Sequence, residues 1–146
     1  MCVQANTNGQ GVDNNSAEHQ LTRLILDGEE LERGPGEAFY LLSMNSSLVH
    51  LTLRDCRIVG INGRMSDSIG RLQLLRTLNL SGNDIGGADA AGFGLLSGAL
   101  RCLPLLYSLD LSNTSMAGCG LSKLELSAFS ALRSLTHLRL QGNQLG

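Results

Sequence analysis

Leucine recurs along the chain at alternating spacings of three and two. The segments LTRLILDGEEL (21–31), LVHLTLRDCRI (48–58), LRTLNLSGNDI (75–85), LYSLDLSNTSM (106–116) and LTHLRLQGNQL (135–145) all fit LxxLxLxx(N/C/T/E)x(L/I/M). Within each, the LxL step alternates at period two, which predicts a short strand with both leucines on one side. The motifs start at 21, 48, 75, 106 and 135, at intervals of 27, 27, 31 and 29 residues. Near-constant self-similarity on this scale is the mark of a stacked repeat, in which no unit buries its apolar face alone. The 30 leucines in 146 residues are explained as internal ladders of such a stack.

The stretches between the motifs return the chain to the start of the next strand. Over 88–103, Phe93, Leu96, Leu100 and Leu103 recur at helical spacing, and Pro104 stops the helix. Residues 121–132 repeat the stripe with Leu121, Leu124, Ala128 and Leu132, while 37–44 predict a shorter helix and 66–72 one or two turns. Gly92, Gly94 and Gly98 weaken the 88–103 helix by roughly 1 kcal/mol each.

These motifs resemble those of leucine-rich repeat proteins over residues 21–146, and the longer intervals are similar to the ribonuclease-inhibitor-like class. The resemblance implies an α/β fold: a right-handed leucine-rich-repeat solenoid, a horseshoe arc with a parallel concave sheet and helices or turns on the convex side. Its ninth motif position is an inward polar ladder that bonds the backbone of the turn after each strand. Here that ladder is Cys56, Asn83, Thr114 and Asn143, with Glu29 in the first repeat. An amide both donates and accepts, so Asn83 and Asn143 suit the role, whereas a buried Glu29 would be costly and predicts an exposed first repeat.

Side chains at the x positions of the strands project from the concave face in columns. The first holds Arg23, His50, Thr77, Ser108 and His137; the second Ile25, Thr52, Asn79, Asp110 and Arg139; the third Asp27, Arg54, Ser81, Ser112 and Gln141. The polar and charged members of these columns, Asp27 excepted, are the candidate partner-binding residues. Their mixed charge gives specificity without naming a partner by sign. Tyr107, at the strand margin, is the one aromatic nearby.

Composition narrows the functions. The chain carries a formal charge of -2, 3 % aromatic residues and no Trp, which argues against a nucleic-acid binder with a basic face or stacking platform. Cys2, Cys56, Cys102 and Cys119 show no metal-ligand spacing and read as reduced thiols. No uninterrupted apolar run reaches membrane-span length, and the opening MCVQANTNGQ lacks a signal-peptide core. With Cys at position 2, N-myristoylation is not expected. Residues 1–19 read as a flexible polar tail before a repeat domain at 20–146, and the location expected is cytoplasmic.

Chemistry finds little support. His50 and His137 lie three repeats apart, about 14 Å, too far to share a metal. Ser108, Asp110 and His137 suggest a triad, but Asp110 faces Arg139 rather than His137. The glycines of VGING (59–63) and SGNDIGG (81–87) are turn residues, not a phosphate loop. No cofactor, metal or catalytic residue is expected. The leading expectation is a non-enzymatic module that binds a protein partner through the concave face, without nucleic acid or membrane. The alternatives are a fragment of a GTPase-activating protein of the leucine-rich-repeat kind, or a structural scaffold. Leu138 and Leu140 have no repeat after them in this sequence, which predicts a longer array or self-association through the C-terminal edge.

Overall fold

The computed structural model describes residues 20–31, 40, 42, 44–86, 91–116 and 129–145. Five three-residue strands form one all-parallel sheet in sequence order: β1 (Arg23–Ile25), β2 (His50–Thr52), β3 (Thr77–Asn79), β4 (Ser108–Asp110) and β5 (His137–Arg139). Leu24, Leu51, Leu78, Leu109 and Leu138 are register partners from strand to strand, so equivalent motif positions stack directly. An all-parallel sheet with helical returns is an α/β repeat fold.

The inner face carries the core. Leu51, Leu53, Leu78, Leu80, Leu109 and Leu111 are fully enclosed, backed by Leu48, Leu75 and Leu106 from the turns into the strands. Two helices close the other side: α1 (Gly63–Gly70), between β2 and β3, and α2 (Ala91–Leu100), between β3 and β4. They pack against each other, burying Met65 and Ile69 of α1 and Phe93, Leu96 and Leu100 of α2. None of the described helices is long and apolar enough to cross a membrane.

α1 begins earlier than the expected 66–72. Asn62 caps it, its side-chain oxygen accepting from the Met65 N–H at 3.0 Å, which recruits Gly63 and Arg64 into the first turn. The expected 88–103 helix is confined at its C-terminal end to Leu100, and its residues 88–90 lie outside the described residues. Of the 121–132 stripe only 129–131 are described as helical, and of 37–44 only Tyr40 and Leu42. The tail at 1–19, Cys2 and Cys119 also lie outside the described residues.

Gly92 has a purpose that propensity conceals. A Cβ there would sit 2.6 Å from the Ile85 carbonyl oxygen and 2.8 Å from the Ile61 nitrogen. Both are backbone atoms that cannot swing aside, so glycine is what lets α2 lie against the two preceding turns.

The eighth motif position is left-handed in every repeat, at Gly28, Asp55, Gly82, Asn113 and Gly142. Glycine, Asp and Asn are the residues that tolerate this region most readily. Neighbouring repeats interlock here: the Asp55 carboxylate lies over Gly82, and the Asn113 amide over Gly142, filling the space a Cβ would need.

Candidate functional site

The turn after each strand is built by the ninth position. The Asn83 side chain is buried; its Nδ2 donates to Leu53 O at 2.7 Å and Leu80 O at 2.8 Å, while its Oδ1 accepts from the Cys56 and Ile58 N–H groups at 3.0 and 3.1 Å. Asn143 repeats this against Leu111 O, Leu140 O and the Thr114 N–H. Each asparagine therefore ties its own turn to that of the preceding repeat. Cys56 Sγ donates backward to Leu26 O at 2.9 Å. Thr114 reaches only its own Leu111 O, at 2.7 Å, and lends its hydroxyl to Asn143 Oδ1. Burial, with the nearby Asp27 and Asp55 carboxylates, pushes the Cys56 thiol up to about 11. Glu29 is half-buried, at the outer edge of this ladder.

The sheet's outer face carries the three columns, aligned by the strand register. His50 Nδ1 meets Thr77 Oγ1 at 2.8 Å, and Asp110 faces Arg139 across the ladder in an ion pair at 3.5 Å. Ser112 Oγ donates to Gln141 Oε1 at 2.7 Å, and the Arg54 N–H donates to Asp27 Oδ1 at 3.0 Å. Arg23, Arg54, His137, Arg139 and Gln141 are exposed, while Thr52, Asn79 and Ser108 are half-buried.

Ser81 departs from the expected arrangement. It is only 8 % exposed, and Asn79 Oδ1 accepts both its hydroxyl at 2.7 Å and its N–H at 2.9 Å. The side chain closes a local turn against Asn79 and is shielded there from solvent. Asp110 accepts likewise from the Ser112 N–H at 3.0 Å, so this carboxylate has a structural task as well as an ion pair.

The geometry does not assemble a triad. Ser108 and His137 are register partners, but His137 Nδ1 is engaged by Thr136 Oγ1 at 2.8 Å, while Asp110 is held by Arg139 and the Ser112 N–H. A triad acid must bond the histidine nitrogen facing away from the nucleophile. His50 and His137 lie on β2 and β5, three strand spacings apart. An open depression lined by Asn113, Ser115, Gly142, Asn143 and Gln144 offers hydrogen-bonding groups and no titratable side chain.

The sheet's two margins differ in a way the columns do not reveal. Among the described residues, the segments leading into the strands (20–23, 44–50, 71–77, 101–108 and 131–137) contain no carboxylate. They carry Arg23, Arg71, Arg76, Arg101 and Arg133, with His50 and His137. Burial, followed by the Arg23 and Arg76 guanidiniums, lowers the His50 pKa below its usual 6.5. Segments leaving the strands carry Asp27, Glu29, Glu30, Asp55 and Asp84. Arg54 and Arg57 on that side pair with Asp55 and Glu30. Arg71, Arg76 and Arg133 lie outside the strand columns; their signal was the recurrence of arginine in every strand-leading segment but the one before β2.

A family model described as Leucine Rich repeat matches residues 71–94, from the approach to β3 into α2, and residues 131–146, across β5. No curated protein matches the chain. Together with five register-matched strands and a backward-bonding polar ladder, the match supports leucine-rich repeats at residues 71–94 and 131–146, a repeat type that generally serves protein interaction.

Proposed function

We propose that the chain is a non-enzymatic, cytoplasmic protein-interaction module of the ribonuclease-inhibitor-like class, a right-handed solenoid at 20–146. Its partner is a protein seated on the concave sheet face. One observation carries this reading: the outward columns are stacked in register over five strands, and cross-strand bonds such as His50–Thr77 and Ser112–Gln141 hold their side chains in place. A surface so preorganised loses little conformational entropy on binding. Arg23, Thr52, Thr77, Asn79, Ser108 and Arg139 are the central contacts. Photo-crosslinking residues placed singly at Thr52, at Ser108 and at Arg64 on α1 test the assignment. Saturable protein crosslinks are expected from the two sheet positions and not from Arg64; crosslinks confined to Arg64 would overturn it.

A further inference from the structure

Arginines on the two margins of the sheet are treated differently by the fold. Arg54, Arg57 and Arg139, on the strands or just after them, each have a carboxylate partner. Arg23, Arg71, Arg76 and Arg133, at the strand-leading margin, make no ion pair among the described residues. Asp67 on α1, four residues before Arg71, makes none either. Leu74 and Leu105 stand among these cations, 49 % and 39 % exposed. Hydrogen bonds run from Arg76 N to Val49 O, from Tyr107 N to Arg76 O and from Thr136 N to Tyr107 O, so this margin is one continuous row across β2–β5.

From this we infer that the strand-leading margin is a docking surface for an acidic protein segment with interspersed aliphatic residues. The inference rests on the reading of the chain as a protein-binding module, but it assigns a surface beside the concave columns. Unpaired guanidiniums supply fork-shaped donors for carboxylates, and the exposed leucines supply apolar contact between them. These arginines begin or precede β1, β3 and β5, two strand spacings or about 9.6 Å apart, a distance that an extended segment covers in about three residues at about 3.3 Å each. An extended segment can follow the row across the strands and stay on its basic side. A flat anionic membrane or a long nucleic acid fits less well. The acidic margin begins only a three-residue strand away, roughly 10 Å, which is about one Debye length. Leucines also add nothing to phosphodiester recognition.

The test uses the full chain and a short fluorescein-labelled peptide rich in Glu with interspersed Leu. The same peptide with Gln for Glu, oligothymidylate and phosphatidylserine vesicles serve as comparisons. The Glu peptide is expected to bind best and to weaken with salt. R71E/R76E/R133E should raise its Kd about tenfold or more, while R57E/R64E should leave it within about twofold. Equal loss in both variants, equal binding of the Gln peptide, or tighter binding of oligothymidylate or vesicles would overturn the inference. Should the triple variant not fold, amide shift mapping on the unmodified chain decides. Shifts concentrated at 71–77 and 101–108 support the margin, and shifts confined to the outward columns overturn it. Failure here leaves the Thr52 and Ser108 crosslinks untouched, so the two readings fail separately.

Discussion

β3 and β5 carry nearly the same motif, LRTLNLSGNDI against LTHLRLQGNQL, yet they occupy different environments. β3 has a strand on each side, and Leu78 and Leu80 are fully buried. Among the described residues β5 pairs only with β4; Leu138 is 39 % exposed and Leu140 is partly buried. The difference teaches that the motif supplies the pattern and the neighbouring repeat supplies the burial, which is the nearest-neighbour energetics of a stacked array. The ladder behaves otherwise. Asn143 is as buried as Asn83, because each asparagine bonds the turn before it rather than the one after.

The largest effect that could break this comparison is in the core. Leu78→Ala should cost about 2–5 kcal/mol, because the enclosing strands and helices cannot collapse into the space. Leu138→Ala should cost about 1 kcal/mol or less, since the exposed side chain gives up little burial. Urea unfolding of both variants checks the contrast, and equal midpoints would remove it.

Next in size, Asn83→Ala and Asn143→Ala should each cost about 1–3 kcal/mol by leaving buried backbone groups unpaired. Here β3 and β5 should behave alike, despite the exposed strand. If Asn143→Ala were harmless while Asn83→Ala were not, backward bonding would be the wrong account.

Cysteine chemistry should separate interior from surface. Cys56 is enclosed with its thiol pushed up to about 11, while Cys102 is exposed and free. At mildly alkaline pH, iodoacetamide should modify Cys102 much faster than Cys56, read by peptide mass spectrometry. The linkage has a definite sign. Between about 9 and about 11 the folded state holds a thiol proton that the unfolded chain releases, so stability should fall through that window. Cys56→Ala should flatten this part of the pH profile.

The smallest expected effect concerns His50. Burial and the Arg23 and Arg76 guanidiniums disfavour its protonated form. The folded state therefore binds fewer protons than the unfolded chain near 6.5, and a small part of the stability should be lost as pH falls below that value. NMR titration should place the His50 midpoint under 6.5, and Arg76→Glu should raise it.

Most of the sheet was legible in the leucine spacing, because period-two alternation inside a fixed motif fixes both strand position and inward face. Every strand falls at the third to fifth residues of its motif, and the columns align as the motif predicts. The start of α1 was not legible, since Gly60 and Gly63 resemble a turn and Asn62 acts as a cap only once the chain has turned into the helix. The low exposure of Ser81 was hidden for a related reason: alternation gives the side of the strand, but not whether Asn79 will hold the hydroxyl and shield it. The pairing of charges at the two margins is set by the fold. Sequence shows where the arginines are, but not that Arg57 finds Glu30 one repeat away while Arg76 finds no carboxylate among the described residues.

The lean of Asp55 over Gly82, and of Asn113 over Gly142, bears on how such an array can be recombined. Adjacent repeats form a matched couple: the first member brings a side chain, and the second must leave the space empty. Duplicating the Asp55 repeat directly behind itself would set a side chain where the incoming carboxylate needs bare backbone. Shuffling is then governed by adjacency, much as letters in a script change form with the letter before. A designer assembling new arrays from these units should treat the boundary between two repeats, rather than the single repeat, as the smallest portable module.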